Sequence, residues 1–380
     1  MGSVGIICEY NPFHNGHLYH IKKIKEMFPN DTIILAMSGN FTQRGDVSII
    51  NKWDKTFIAL NYGIDLVIEL PFAFSTQSAD IFSKGSIQIL NSLNVEKLVF
   101  GSECGDIKKL YNLANLVINN NEYDLKVKEY LDKGINYPSA MSKAIKDLTG
   151  STIKEPNDLL GFSYIKEIIK TNSKIKPFCI KRTNNFNSSS LNSNIVSAKA
   201  IREALKENKE INNYVPNLIL KYIKNINIKD NYFNLLKYKI LTSKDLGIYQ
   251  TVDEGIENRI KKYIATANSL EELINLIKTK RYTYNKINRM FTHILCSFTK
   301  EEAKNLNNIE YIRIIGFNSK GKQYLNKIKK GINIPIITNF SSIKNDMLNL
   351  EFRSTCVYSS ILKENNLIED EYKNKPIIID

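Results

Sequence analysis

Val4-Gly5-Ile6-Ile7-Cys8-Glu9-Tyr10-Asn11-Pro12-Phe13-His14-Asn15-Gly16-His17-Leu18-Tyr19-His20 is the stretch whose reading decides the fold. It opens on an apolar run, Val4 to Cys8, and is followed by an amphipathic segment, Leu18 to Phe28. Between them lie Pro12 and Gly16, the residues that break regular structure. The order is therefore strand, tight loop, helix. Three of the chain's four histidines fall within seven of these residues. The loop delivers His14 and His17 to a helix N-terminus, where free N–H groups and the helix dipole favour a phosphate. Gly16 has no Cβ and lets the backbone approach such a group closely. Pro12 stiffens the way into the loop.

His-x-Gly-His in this position is the signature of nucleotidyltransferases that attack the α-phosphate of ATP. The chemistry explains the residue types. Attack at the α-phosphorus builds negative charge on its oxygens and on the departing pyrophosphate, so catalysis needs positioning and fixed donors. An imidazole N–H is such a donor and need not be charged. His14 and His17 are the candidate catalytic pair. A metal site is the competing reading. His14, His17 and His20 step by about 300° each on a helix, which leaves His14 and His20 about 120° apart. That is poor convergence on one ion, and no cysteine or carboxylate triplet completes a zinc set. No metal is expected.

The chain has 380 residues and is 43% hydrophobic, enough for two or three domains with real cores. No apolar run approaches the roughly 20 residues that span a bilayer, so no membrane partner is expected. Met1-Gly2-Ser3 lacks the basic start of a signal peptide. Cys8, Cys104, Cys179, Cys296 and Cys356 are scattered and odd in number, which fits reduced thiols in a cytoplasm. The net charge of +14 is uneven: residues 271–330 hold 13 Lys/Arg against 5 Asp/Glu. Such a zone suggests a polyanion, of which nucleic acid is the usual one, or else a solvated face of a lysine-rich chain.

Apolar runs at Thr32–Met37, Leu66–Leu70 and Lys97–Phe100 alternate with helical segments at Asp54–Gly63 and Ser75–Leu93. That alternation predicts an α/β domain, a Rossmann-like parallel sheet covered on both faces. Its ligand crevice would lie at the carboxyl ends of the strands, where residues 9–17, 38–46 and 101–106 fall. Helical segments follow from Leu110 to Lys146, then a helix to about Lys170 with Asn157-Asp158 as its cap. Pro177–Arg182 reads as a late strand, Asn184–Asn194 as a low-complexity loop expected to be mobile, and Ser197 as the N-cap of a further helix. The domain boundary is placed at 220. Residues 221–380 form a mainly helical α+β part, with short strands at Tyr311–Gly316 and Ile334–Ile337.

Ser38-Gly39-Asn40-Phe41-Thr42-Gln43-Arg44-Gly45-Asp46 is dense in polar residues at a strand end. Ser38, Gly39, Gln43 and Arg44 are candidates to hold a phosphate or an attacking carboxylate. Lys52 and Lys55 either add charge there or are solvated. Gly101 lets a ribose or base approach the backbone, or is a plain strand-end turn. Asn157 reads adenine, or caps its helix. Arg182 could reach a phosphate from the last strand, and Ser197 with Arg202 would clamp the β- and γ-phosphates from a second helix N-terminus. Lys278, Lys280, Arg281, Lys286 and Arg289, with Tyr282 and Tyr284 among them, suit an RNA surface where aromatics stack on unpaired bases. The same tyrosines could equally be core.

These strings resemble the bacterial tRNA(Met) cytidine acetate ligases. The likeness runs through Gly5–His17, Met37–Gly45, Asp65–Pro71, Pro156–Gly161, Lys280–Thr283 and Ile312–Asn318, over most of the chain. It implies a reaction in which ATP and acetate give acetyl-adenylate and pyrophosphate. The acetyl group then passes to the wobble cytidine of elongator tRNA(Met), giving N4-acetylcytidine. The family's ATP site carries over to Ile7, Cys8, Glu9, Tyr10, Asn11, Pro12, Phe13, His14, Asn15, Gly16, His17, Leu18, Tyr19, His20, Gly101, Asn157 and Arg182, with Mg2+ as the counterion of ATP. Lys199 stands where related enzymes often carry a small hydroxyl residue. The residues alone leave open a small-molecule adenylyltransferase of cofactor synthesis and an RNA-binding protein with a degenerate nucleotide fold. The intact His14/His17 pair argues against the latter, and the basic C-terminal part against the former.

Overall fold

The structure, a computed structural model, describes residues 2–182, 195–223 and 228–380; the Asn/Ser stretch 184–194 lies outside them. Five strands arise where the apolar runs place them: β1 (Ser3–Cys8), β2 (Thr32–Ser38), β3 (Leu66–Leu70), β4 (Lys97–Ser102) and β5 (Lys176–Lys181). Every residue of β2 and β3 is buried, as continuous apolar runs require when helices cover both faces of a sheet. All pairings among these five are parallel. The order is β5-β4-β1-β2-β3. From central β1 the chain moves outward through β2 to β3, then crosses back to β4 and β5. The reversal falls between β1 and β4, and a crevice opens beyond the carboxyl ends of strands at such a point. The histidine loop follows β1, and Gly101 lies near the end of β4.

The chain beyond residue 220 returns to this sheet. β6 (Ile312–Phe317) pairs with β3, and β7 (Ile336–Ile337) and β8 (Ile377–Ile378) both pair with β6. The short strands expected in the closing segment therefore extend the first sheet and do not build a second one. The parallel sheet expected for the first part is there, and β6, running antiparallel to β3, adds a mixed edge to it from the closing segment. Between residues 228 and 305 the chain is helical, with helices at Ile228–Thr242, Ile256–Ile264, Leu270–Ile277 and Tyr284–Leu295 among them. One apolar cluster joins Ile34 and Ile68 of the sheet to Leu236, Phe291 and Tyr358 of the later helices.

A buried ion network locks this return in place. Lys52 Nζ lies 2.6 Å from Glu69 Oε1, 2.8 Å from Glu371 Oε1 and 3.5 Å from Glu351 Oε1. Arg313 Nη1 lies 2.9 Å from Glu69 Oε2 and 2.5 Å from Glu371 Oε1. All five side chains are buried. Burial, reinforced by Glu69, pushes the Glu351 carboxyl up to about 8. The upward shift favours its protonated form, with Lys52 and Arg313 then facing the carboxylates of Glu69 and Glu371. Lys55 is buried as well. Its ammonium donates to the carbonyls of Glu9 (3.0 Å), Ser38 (2.8 Å) and Gly39 (2.6 Å), tying the β1 and β2 ends together. Burial lowers it to about 7, against the pull of Glu9 and Glu69. Neither lysine is solvated and neither lines the crevice, so both expectations for this pair are corrected.

Candidate functional site

The first helix, Asn15–Met27, starts on His14. Nδ1 of His14 accepts the Gly16 N–H at 3.0 Å, and Nδ1 of His17 accepts the His14 N–H at 3.2 Å. The two rings lie with centroids 3.8 Å apart. A neutral imidazole that accepts at Nδ1 carries its proton on Nε2. Burial keeps both rings neutral. It lowers His14 to about 3, with Arg182 and Arg202 adding to the effect, and holds His17 well below its ordinary value, with His14 and His20 adding. His20 is lowered to about 4 by burial and by Arg182. The pair is thus a set of uncharged Nε2–H donors. Gly16 is required by the same packing, because a Cβ there would fall 2.7 Å from His14 Cε1.

The donor form is testable by the nitrogen shifts of the rings. Nδ1 of His14 and His17 is expected to resonate as an unprotonated nitrogen from about pH 8 to 5; a ring titrating near the usual value contradicts this. The unfolded chain takes these protons near 6.5 and the folded chain only far lower. The histidine contribution to stability is therefore full above about 6.5 and lost as the pH falls toward the folded values.

Around the pair lies a cavity of about 920 Å³. Ile7, Cys8, Glu9, Tyr10, Asn11, His14, Gly16, His17, Tyr19 and His20 line it. Pro12, Phe13, Asn15 and Leu18 do not; they shape the loop. Phe13 stacks on Tyr62, and Asn15 donates to the carbonyls of Tyr214 and Asn213. Tyr10 takes a left-handed backbone, φ +48°, and lays its ring 4.7 Å from that of His17. Gly101, Asn157 and Arg182 all reach the cavity. Asn157 sits inside the first turn of the helix Pro156–Lys170 and is not its cap; its amide donates to Glu103 Oε1. Ser197 caps the helix Ala198–Lys206 through Ala200 N–H, as expected, and Arg202 donates to the carbonyl of Asn11 at 2.7 Å.

Of the polar loop, Gln43 and Arg44 line the cavity. Ser38 and Gly39 do not; their carbonyls accept from Lys55. The later helix Tyr284–Leu295 rests on this loop. Asn288 donates to Arg44 O and Asp46 Oδ1, and Thr292 donates to Gly45 O. Gly45, at φ +82°, could carry no side chain, since a Cβ would meet Arg289 N at 2.6 Å. This docking brings Arg281, Lys286 and Arg289 to the cavity wall. Lys278 and Lys280 are exposed and stand outside it. Tyr282 is core, with Lys286 4.1 Å over its ring, and Tyr284 is exposed.

Sequence reasoning missed Gln77, Asp80, Thr251 and Glu254, which also line the cavity. They come from turns and helix starts with no periodic or motif signal. Arg44, Lys181, Arg182, Lys199, Arg202, Arg281, Lys286 and Arg289 line it against Glu9, Asp46, Asp80 and Glu254. The balance favours a polyanion. Among the described residues no group of three or more His, Cys, Asp or Glu side chains could hold a metal, and no helix is long and apolar enough to cross a membrane.

Comparison with known proteins gives the family. Residues 1–374 match the HIGH Nucleotidyl Transferase family. The chain is 40% identical over 404 residues to the tRNA(Met) cytidine acetate ligase of Clostridium acetobutylicum, and 38% identical over 400 residues to that of Geobacillus sp., each alignment covering all of both chains. It superposes on crystal structures of Thermotoga maritima TmcAL over the full length of each chain. The TM-score is 0.91 at 30% identity for the apo form and 0.88 at 29% for the form bound with alpha-thio ATP.

Proposed function

This chain belongs to the HIGH nucleotidyl transferase family, among the tRNA(Met) cytidine acetate ligases, and from that premise we propose that it joins acetate to the wobble cytidine of elongator tRNA(Met) at the expense of ATP. The observation that carries the reading is the neutral His14/His17 pair opening into one cationic cavity shared by the β1 loop and the later basic helix. In the first step an acetate oxygen attacks the α-phosphorus and pyrophosphate leaves. The Nε2–H groups of His14 and His17 stabilise the charge that develops there. Arg182, Arg202 and the start of the helix Ala198–Lys206 face the triphosphate. Gln43 and Arg44 orient the carboxylate, and Gly101 and Asn157 border the nucleoside. Mg2+ would come with ATP as its counterion and offset phosphate charge; among the described residues no group of three or more His, Cys, Asp or Glu would hold it. In the second step the acetyl group passes to the N4 amine of the cytidine, and AMP is released. A cytoplasmic enzyme fits this substrate.

The test is incubation with ATP, labelled acetate and bulk tRNA. Label in tRNA is expected. A stable AMP adduct of a small molecule, with unlabelled tRNA, would sink the reading. The order of steps has its own check: acetate-dependent exchange of labelled pyrophosphate into ATP is expected without tRNA. Exchange that needs tRNA contradicts a preformed site.

The RNA surface divides in two. Arg281, Lys286 and Arg289 sit where the anticodon nucleotide must arrive, and Lys278 and Lys280 lie further out. Replacing both outer lysines by alanine is expected to weaken tRNA binding and to lower the slope of affinity against log salt by about 1 to 2. Pyrophosphate exchange should stay at the wild-type rate. An unchanged salt slope removes these two from the RNA surface.

A further inference from the structure

The second step needs a proton acceptor. The exocyclic amine of cytosine is conjugated with its ring and attacks poorly while it holds both protons. His14 and His17 cannot take one, because each Nδ1 already accepts a backbone N–H and each Nε2 is protonated. Three of the four cavity carboxylates are engaged. Asp80 accepts from Lys166 at 2.5 Å and from Tyr137 at 2.7 Å, one on each oxygen. Asp46 accepts from Asn288 at 2.8 Å and faces Arg202 at 3.7 Å. Glu254 is paired with Arg281 at 2.8 Å.

Glu9 differs. Oε1 accepts the Gln43 N–H at 2.6 Å, while Oε2 receives no hydrogen bond among the described residues. Its backbone is fixed, since its carbonyl accepts from buried Lys55. It stands just past the end of β1, at the switch point, directly before the histidine loop. We propose that the Glu9 carboxylate is the general base of acetyl transfer, a role that rests on the acetate-ligase reading above. The N4 lone pair bonds to the acetyl carbon of the adenylate, and the carbonyl pair moves onto oxygen. Glu9 Oε2 takes one N4 proton. The oxyanion then collapses, the bond from the acyl carbon to the phosphate oxygen breaks, AMP leaves with that pair, and the proton passes to solvent.

Burial raises the Glu9 carboxyl, opposed by the Gln43 N–H, Arg44 and Lys55, and so makes it a stronger acceptor. Nε2 of His20 is also without a partner among the described residues, but that ring is held near 4 and accepts a proton less readily.

Glu9→Gln keeps the acceptor for Gln43 and loses the base. Two reactions separate its roles: acetate-dependent pyrophosphate exchange, and single-turnover transfer from synthetic acetyl-adenylate to tRNA. Glu9 also borders the ATP cavity, so exchange is expected to fall by about tenfold or less while transfer falls by about 10² to 10⁴. Transfer at the wild-type rate overturns the proposal. So does parallel loss of both, which would make Glu9 a tether for the Gln43 loop. Should the glutamine variant fold poorly, Glu9→Asp keeps a carboxylate and is expected to slow transfer more than exchange; equal loss of both overturns the proposal here too. A wild-type protein that exchanges pyrophosphate but never labels tRNA would instead sink the acetate-ligase reading itself.

Discussion

Replacing His17 by alanine is expected to slow acetate-dependent pyrophosphate exchange by about 10² to 10³, the cost of removing one preorganised donor at a developing charge. The same loss is expected for His14→Ala; each change also removes half of the capping box, His14 as the cap itself and His17 as acceptor of the His14 N–H. His14 accepts the Gly16 N–H, and losing such a cap costs about 1 kcal/mol of stability. His14→Asn separates the two effects. Asparagine caps helices well but cannot project an N–H as far as the imidazole Nε2. Its melting temperature should match wild type while exchange stays low. If His14→Asn exchanges at the wild-type rate, the ring serves only the helix, and the donor role passes to His17 alone.

The second large effect concerns stability. Lys52→Met leaves Glu69 and Glu371 buried with only Arg313 between them. Breaking a buried ion cluster by deleting one partner costs about 3–5 kcal/mol, because the remaining charge has no solvent to turn to. Denaturant titration should show the midpoint falling with little change in slope. A variant as stable as wild type would mean that a second glutamate takes a proton and restores the balance.

Local features of this molecule were legible in the sequence, and features that depend on distant partners were not. Val4 to Phe28 announces strand, loop and helix, because the apolar run, Pro12, Gly16 and the helical spacing all lie within one stretch. Ser197 was readable as a cap for the same reason. Lys52 and Lys55 were not. A lysine at a helix start looks solvated until its acceptors are known, and those of Lys52 lie 17 and 319 residues away. Nor could the pattern of Ile312–Phe317 say which strand it would join or in which direction, since period and apolarity carry no partner. Ser38 and Gly39 looked like ligand groups because loops at strand ends often are. Their carbonyls were already claimed by a side chain that the sequence placed elsewhere.

The antiparallel seam between β3 and β6 also bears on how the molecule is made. β3 is Leu-Val-Ile-Glu-Leu, and one of its two edges is covered only by β6. An uncovered apolar edge is a template for pairing with other chains. Synthesis delivers β3 early and β6 late. At about 5–20 residues per second the interval is on the order of tens of seconds. Through that window the nascent protein carries an open strand with Glu69 still lacking Arg313. Chaperone demand and aggregation during overproduction should therefore concentrate in this interval. Fragments ending before Ile312 should fall out of solution even where their nucleotide crevice is complete.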